Sequence, residues 1–208
     1  MNLARTIYLF VNGVATWPGD YTNWNKRAVT FTHLRTPHRA EAFEYFCTPL
    51  TRPFREDQRE KHFARSLREY SKAGWKIVCV GHSNGAAVIL KAMRDAHWPP
   101  VEALHLVCAA CDADFNRNGL NFALHAGLIK KVCIYNGARD WAIRLANLSV
   151  GRLLGYGTLG MTGPLNMDVA VGDCVGGFWW KHYGHSDCWL PHNFNQTMSH
   201  FFNKREIT

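Results

Sequence analysis

Two periods of hydrophobic and polar positions alternate along the chain. Short runs dense in Val, Ile, Leu and Cys end at turn residues, and longer stretches place apolar side chains three and four apart. Residues 6–11 read TIYLFV and stop at Asn12-Gly13, which predicts a strand and a turn. A second strand is predicted over 42–47 (AFEYFC). Residues 56–73 predict a helix, with Phe63, Leu67 and Tyr70 on one face, Arg and Glu on the other, and Gly74 at its end. Residues 76–80 (KIVCV) are apolar nearly throughout, the pattern of a strand covered on both faces. A helix follows over 86–96, stopped by Pro99-Pro100, and then a strand over 103–108 (ALHLVC). Further predicted elements are a helix over 120–129, a strand over 131–135, a helix near 141–147, a strand over 175–180 and a closing helix over 194–202. The Gly-rich stretch 151–164 reads as a loop. Strand alternating with helix implies an α/β fold with a mostly parallel sheet and helices on both faces. With no repeat, low-complexity tract or linker, residues 1–208 are expected to form one domain, without a block long enough for a large cap.

The strongest chemical signal is Gly81-His82-Ser83-Asn84-Gly85. It follows the strand 76–80 and opens the helix 86–96, the strand–turn–helix setting in which a serine is held out on a sharp, strained turn. Glycine on either side avoids collisions with the neighbouring strand and helix. A serine hydroxyl is a weak nucleophile and needs a base. Asp140, after the strand 131–135 in NGARDW, and His185, after the strand 175–180 in YGHSDC, both fall at carboxyl ends of strands, where open α/β sheets place their sites. Asp112 and Asp114 compete with Asp140 for the acid role, with Asp187 too local to His185 to fit. His182, His192 and His200 compete with His185 for the base.

These residues carry a resemblance. The chain resembles the α/β-hydrolase superfamily of lipases and esterases over nearly its whole length, through FVNG after the first strand, GHSNG, NGARDW and GHSDCW. The resemblance implies a single-domain α/β-hydrolase fold, with Ser83 as nucleophile, Asp140 as acid and His185 as base. It also implies an oxyanion hole from the backbone N–H groups of Asn84 and Val14. Asn12 stands where many members have His. Trp17 and His82 are expected on the substrate side, and Trp17, Tyr21, Trp24, Trp179 and Trp180 fit either a pocket lining or ordinary packing. The implied reaction is cleavage of a carboxylic ester through an acyl-enzyme, with no metal or cofactor. Thioester cleavage, acyl transfer and a catalytically silent binding module remain alternatives on the same scaffold.

Composition narrows the setting. Of 208 residues, 47% are hydrophobic and 19% charged, which is globular. Lys and Arg exceed Asp and Glu by 24 to 16, giving +8, yet no basic block or recognisable module marks a nucleic-acid surface. The expected partner is therefore a small-molecule, lipid or polymer ester, with peripheral membrane contact open. The seven cysteines lack framework spacing, and Cys108-x-x-Cys111 has no second pair to complete a zinc site. Buried free thiols, no signal peptide and no membrane-spanning run point to the cytoplasm. Residues 114–125 begin like a calcium loop but carry His125 where its final Glu belongs.

Overall fold

The computed structural model describes residues 5–13, 23–44, 52–146 and 157–202. Six strands, β1 Thr6–Val11, β2 Arg39–Phe43, β3 Lys76–His82, β4 Ala103–Val107, β5 Val132–Gly137 and β6 Val175–Trp180, form one sheet in the order β2-β1-β3-β4-β5-β6. Every neighbouring pair is parallel. The helices are α1 Trp24–Arg35, α2 Arg52–Lys72, α3 Asn84–Asp95, α4 Leu120–His125, α5 Trp141–Ala146, α6 Leu159–Thr162 and α7 Pro191–Ser199.

Strand alternation sorts the core into two layers. Ile7, Leu9, Val11, Ile77, Cys79, Leu104, Leu106, Val132 and Ile134 pack with α2, α3 and α4 through Phe63, Leu67, Ile89, Met93 and Leu124. Tyr8, Phe10, Val78, Val80, Val107, Cys133 and Tyr135 face the other way, onto Trp24 and Ala28 of α1 and Phe194 and Met198 of α7. Because both faces are covered, the central strands read as near-continuous apolar runs. Each fully buried Leu, Ile or Phe contributes about 1.5–3 kcal/mol relative to exposure. Among the described residues, no helix is long and apolar enough to cross a membrane.

Several elements depart from expectation. The second strand lies earlier than 42–47: it is Arg39–Phe43, registered from Ile7↔Arg39 to Val11↔Phe43. It is an edge strand, so its pattern is amphipathic: Ala40 is buried, while Arg39 and Glu41 form a partly exposed ion pair at 2.7 Å. The apolar density of 44–47 is a poorer guide than this alternation, and 45–47 lie outside the described residues. Helix α1 is absent from the sequence reading because its buried face is Trp24, Asn25, Ala28 and Thr32, only partly apolar. The helix expected over 120–129 stops at His125, with Gly127 at φ +66° and Ile129 bridging Val101. The closing helix begins earlier than 194 and ends before 202, starting at Pro191, whose fixed φ suits a first turn. Within the expected loop 151–164, Leu159–Thr162 is helical and Leu159 is buried; 151–156 lie outside the described residues.

Candidate active site

The site is built on the carboxyl ends of β3, β4 and β5 and on the loop after β6. Strand β3 runs through Gly81 and His82 to Ser83, which sits at φ +54°, ψ −123°. That backbone conformation costs a non-glycine residue about 1–3 kcal/mol and persists only where its surroundings enforce it. They do so here. The Ser83 N–H donates to the Val107 carbonyl at 2.9 Å, and the Ser83 carbonyl accepts from Ala110 N at 3.0 Å and Ala86 N at 3.2 Å. Side chains could not fit on either side: a Cβ at Gly85 would lie 2.3 Å from the Val11 oxygen, and one at Gly81 would lie 2.8 Å from Ala86 N.

Ser83 occupies the position that caps α3, where serine ordinarily bonds to a backbone N–H of the first turn. Its side chain makes no such bond, so the hydroxyl is not consumed by the helix. The turn after β1 presses against it: a Cβ at Gly13 would lie 2.8 Å from Ser83 Cβ and 3.3 Å from Oγ. Asn84 opens α3, where first-turn N–H groups point away from the helix's own carbonyls. Val14 and Trp17, expected in the oxyanion hole and on the substrate side, lie outside the described residues, as does Tyr21.

Asp140 and His185 meet. His185 Nδ1 lies 2.9 Å from Asp140 Oδ2 and 3.0 Å from Oδ1. An ionised carboxylate only accepts, so Nδ1 carries a proton, and in a neutral imidazole Nε2 is then the nitrogen with the lone pair. The Asp140 side chain is fully buried, and its Oδ1 also accepts from Ile143 N at 3.0 Å, in the first turn of α5. Burial acts to raise the Asp140 carboxyl. The hydrogen bond and charge of His185, helped by the Ile143 amide, outweigh it and hold the group below the usual carboxylate range. The His185 ring is mostly covered, and Gly184 N donates to Asp187 Oδ2 at 2.8 Å to close its loop. Among the described residues, no hydrogen bond joins Ser83 Oγ to His185; such contacts commonly tighten only around substrate.

The rival acids are engaged elsewhere, and the rival base His182 is exposed. Asp112 Oδ1 accepts from Asp114 N, and Asp114 accepts from Asn116, Arg117 and Asn166. His192 lies in α7, and His200 packs against Tyr135 and Phe178. Trp180 packs on Tyr135 and Tyr183, Trp179 is exposed, and Trp24 stacks on Trp189 with ring centroids 3.9 Å apart. For Trp24 and Trp180, packing describes the side chain better than a pocket lining.

For two residues at the site, sequence reasoning missed the contacts that the structure shows. His82, expected on the substrate side, is buried and points to the His185 main chain, with Nε2 2.8 Å from the His185 oxygen. Cys108, at the end of β4, also has a positive φ, +43°. Its Sγ, an Asp140 oxygen and a His185 nitrogen all lie within 4.8 Å of one another. A metal there would need a thiolate. Burial first, and the Asp140 charge next, instead push the Cys108 thiol well above its ordinary range. Only the position of Cys108 at a strand end, shared with Ser83 and Asp140, hinted at this placement.

Comparison with solved structures places the architecture. A hydrolase of the alpha/beta superfamily from Xanthomonas campestris pv. campestris superposes with a TM-score of 0.54 at 12% identity, covering 95% of this chain and 96% of that one. A hormone-sensitive lipase from a metagenome library gives 0.58 at 16% identity, covering 94% and 75%. A structure from work on the metagenome-derived lipolytic enzymes LipS and LipT gives 0.55 at 11% identity, covering 95% and 92%. The chain has the α/β-hydrolase fold. No protein-family model and no curated protein matches the sequence. In this fold Ser83 lies on the turn between β3 and α3, Asp140 follows β5 and His185 follows β6.

Proposed function

We propose that this α/β-hydrolase-fold chain is a serine hydrolase that cleaves carboxylic esters through an acyl-enzyme. The observation that carries the reading is the placement, at the carboxyl ends of neighbouring parallel strands, of a strained Ser83 whose hydroxyl makes no helix-cap bond and of an imidazole whose Nδ1 is held by a buried carboxylate. In the proposed reaction, His185 Nε2 accepts the Ser83 Oγ proton as Oγ attacks the ester carbonyl. The N–H groups of Asn84 and Val14 stabilise the oxyanion. His185 returns the proton to the departing alcohol, leaving Ser83 acylated. Water, deprotonated by the same imidazole, then releases the acid and restores the serine. Asp140 keeps Nδ1 protonated throughout and stabilises the imidazolium at each transfer.

An ester substrate is supported by the lipases and lipolytic enzymes that share the fold. Beside the elbow, where the Val11 carbonyl meets the Gly85 position, a cavity of about 180 Å³ has apolar walls from Val11, Phe43, Phe63 and Val88 and polar ones from Glu44, Gln58, Arg59 and His62. The test is hydrolysis of p-nitrophenyl esters of graded acyl length. Turnover of at least one acyl length is expected. Ser83→Ala should lower kcat by about 10⁴-fold or more, and Asp140→Asn, which favours the wrong tautomer, by about 10⁴-fold, with KM little changed. A well-folded parent inert to esters, thioesters and acyl transfer alike would point to a hydrolase-shaped binding module.

A further inference from the structure

We propose that His82 is a positioning residue: its Nε2–H, bonded to the His185 carbonyl at 2.8 Å, ties the nucleophile's own strand to the loop that carries the base. The inference rests on the serine-hydrolase reading and adds a third point of control to it. Asp140 fixes the orientation of the His185 ring. It does not fix how far the His185 backbone stands from Ser83. His82 does, because it precedes Ser83 directly and its ring reaches across to the next loop. A carbonyl oxygen only accepts, so Nε2 is the protonated nitrogen of His82.

The ring is locked in place. It stands edge-on to Trp24 at 6.1 Å and 81°, and edge-on to Trp189 at 5.6 Å and 89°. Those two tryptophans are stacked on each other, one from α1 and one from the turn Asp187–Trp189 that follows His185. The His82 and His185 rings lie 4.8 Å apart. Two cations at that distance would repel, and His185 must become cationic during the proposed reaction. His82 avoids the conflict: burial first, and the neighbouring His185 next, lower it to about 3, against the weaker raising effects of the His185 carbonyl and of Asp140. It therefore stays neutral at the pH where the base works. A second imidazole beside the base serves as a fixed donor and not as a second base.

Two variants separate tethering from mere packing. His82→Gln can return an amide N–H to the His185 carbonyl with poorer ring packing. His82→Phe keeps a ring between Trp24 and Trp189 and removes the donor. In ester turnover, tethering predicts that Phe lowers kcat by about 10- to 100-fold with KM nearly unchanged, a displacement effect, while Gln stays within a few-fold of the parent. The reverse order, with Phe near parental and Gln impaired, overturns the proposal. Nitrogen-detected NMR of the parent reads the tether without activity: His82 should show an Nε2–H tautomer that does not titrate between pH 5 and 8. Amide exchange across Gly184 to Asp187 should accelerate in His82→Phe and not in His82→Gln. A parent that turns over nothing but meets both NMR expectations overturns the hydrolase reading alone. Unchanged exchange in His82→Phe overturns the tether.

Discussion

At the scale of single residues, the site depends on places where a Cβ or a hydroxyl decides what the backbone can do. Gly85→Ala would drive a Cβ to 2.3 Å from the Val11 oxygen, against backbone that cannot move without shifting β1. It should destabilise the chain by about 2–4 kcal/mol, read as a lower urea midpoint at unchanged slope, or prevent folding. A midpoint equal to the parent's would mean that β1 does not pass where described. The placement of Ser83, Asp140 and His185 at the carboxyl ends of strands was legible in the sequence, because each follows an apolar run and G-x-S-x-G names the turn. The bond from His82 to the His185 main chain and the place of Cys108 beside Asp140 were not. Nothing in one sequence says that a histidine beside a serine turns under the next loop, or that a cysteine ending β4 comes close to Asp140. Both facts depend on which strands are neighbours.

At the scale of elements, legibility followed the local apolar pattern: the edge strand β6 was marked at its observed bounds, whereas the other edge strand, β2, was not. β1, β3, β4 and β5 have two strand neighbours and helices on both faces, so their apolar runs marked them to within two residues. β2 has one neighbour, and its pattern of Arg39, Ala40 and Glu41 was overshadowed by the richer run beyond it. Helix α1 hides its contact face in Trp24, Ala28 and Thr32, with the Thr32 hydroxyl returned to the Ala28 carbonyl at 2.7 Å. Its importance to the site comes from Trp24, which stacks on Trp189 and braces His82. Trp24→Ala should therefore cost about 3–5 kcal/mol of stability in urea unfolding. It should also slow ester turnover more than Trp24→Phe, which keeps an aromatic surface there. Equal losses in both variants would detach α1 from the chemistry.

At the scale of the whole molecule, the buried histidines set how stability responds to acid. His82 and His105 are both held neutral by burial and lowered to about 3. In the unfolded chain each would titrate near its ordinary value of 6.5. Between those values the unfolded state binds protons that the folded state does not, so stability is full above about 6.5 and falls with decreasing pH. Each group contributes a slope of up to about 1.4 kcal/mol per pH unit. Asp140, held below its ordinary range, adds a loss in the same direction at lower pH, as the carboxylate is protonated in the folded state. Urea midpoints should thus be nearly flat from pH 8 to 7 and decline between about 6.5 and 4. His105→Gln should remove about one proton from that slope, whatever it does to stability at pH 8. A midpoint that stays level down to pH 4 would mean that these imidazoles are hydrated.

The central claim is that this fold activates Ser83 and no other nucleophile, and the most direct test is covalent. The parent is treated with a fluorophosphonate at pH 8, and the adduct is located by peptide mass spectrometry. The account predicts stoichiometric phosphonylation at Ser83, absent in Ser83→Ala and slowed by at least about 10²-fold in His185→Ala, which removes the base. A folded parent that takes up no label, or takes it up at another residue, would contradict it.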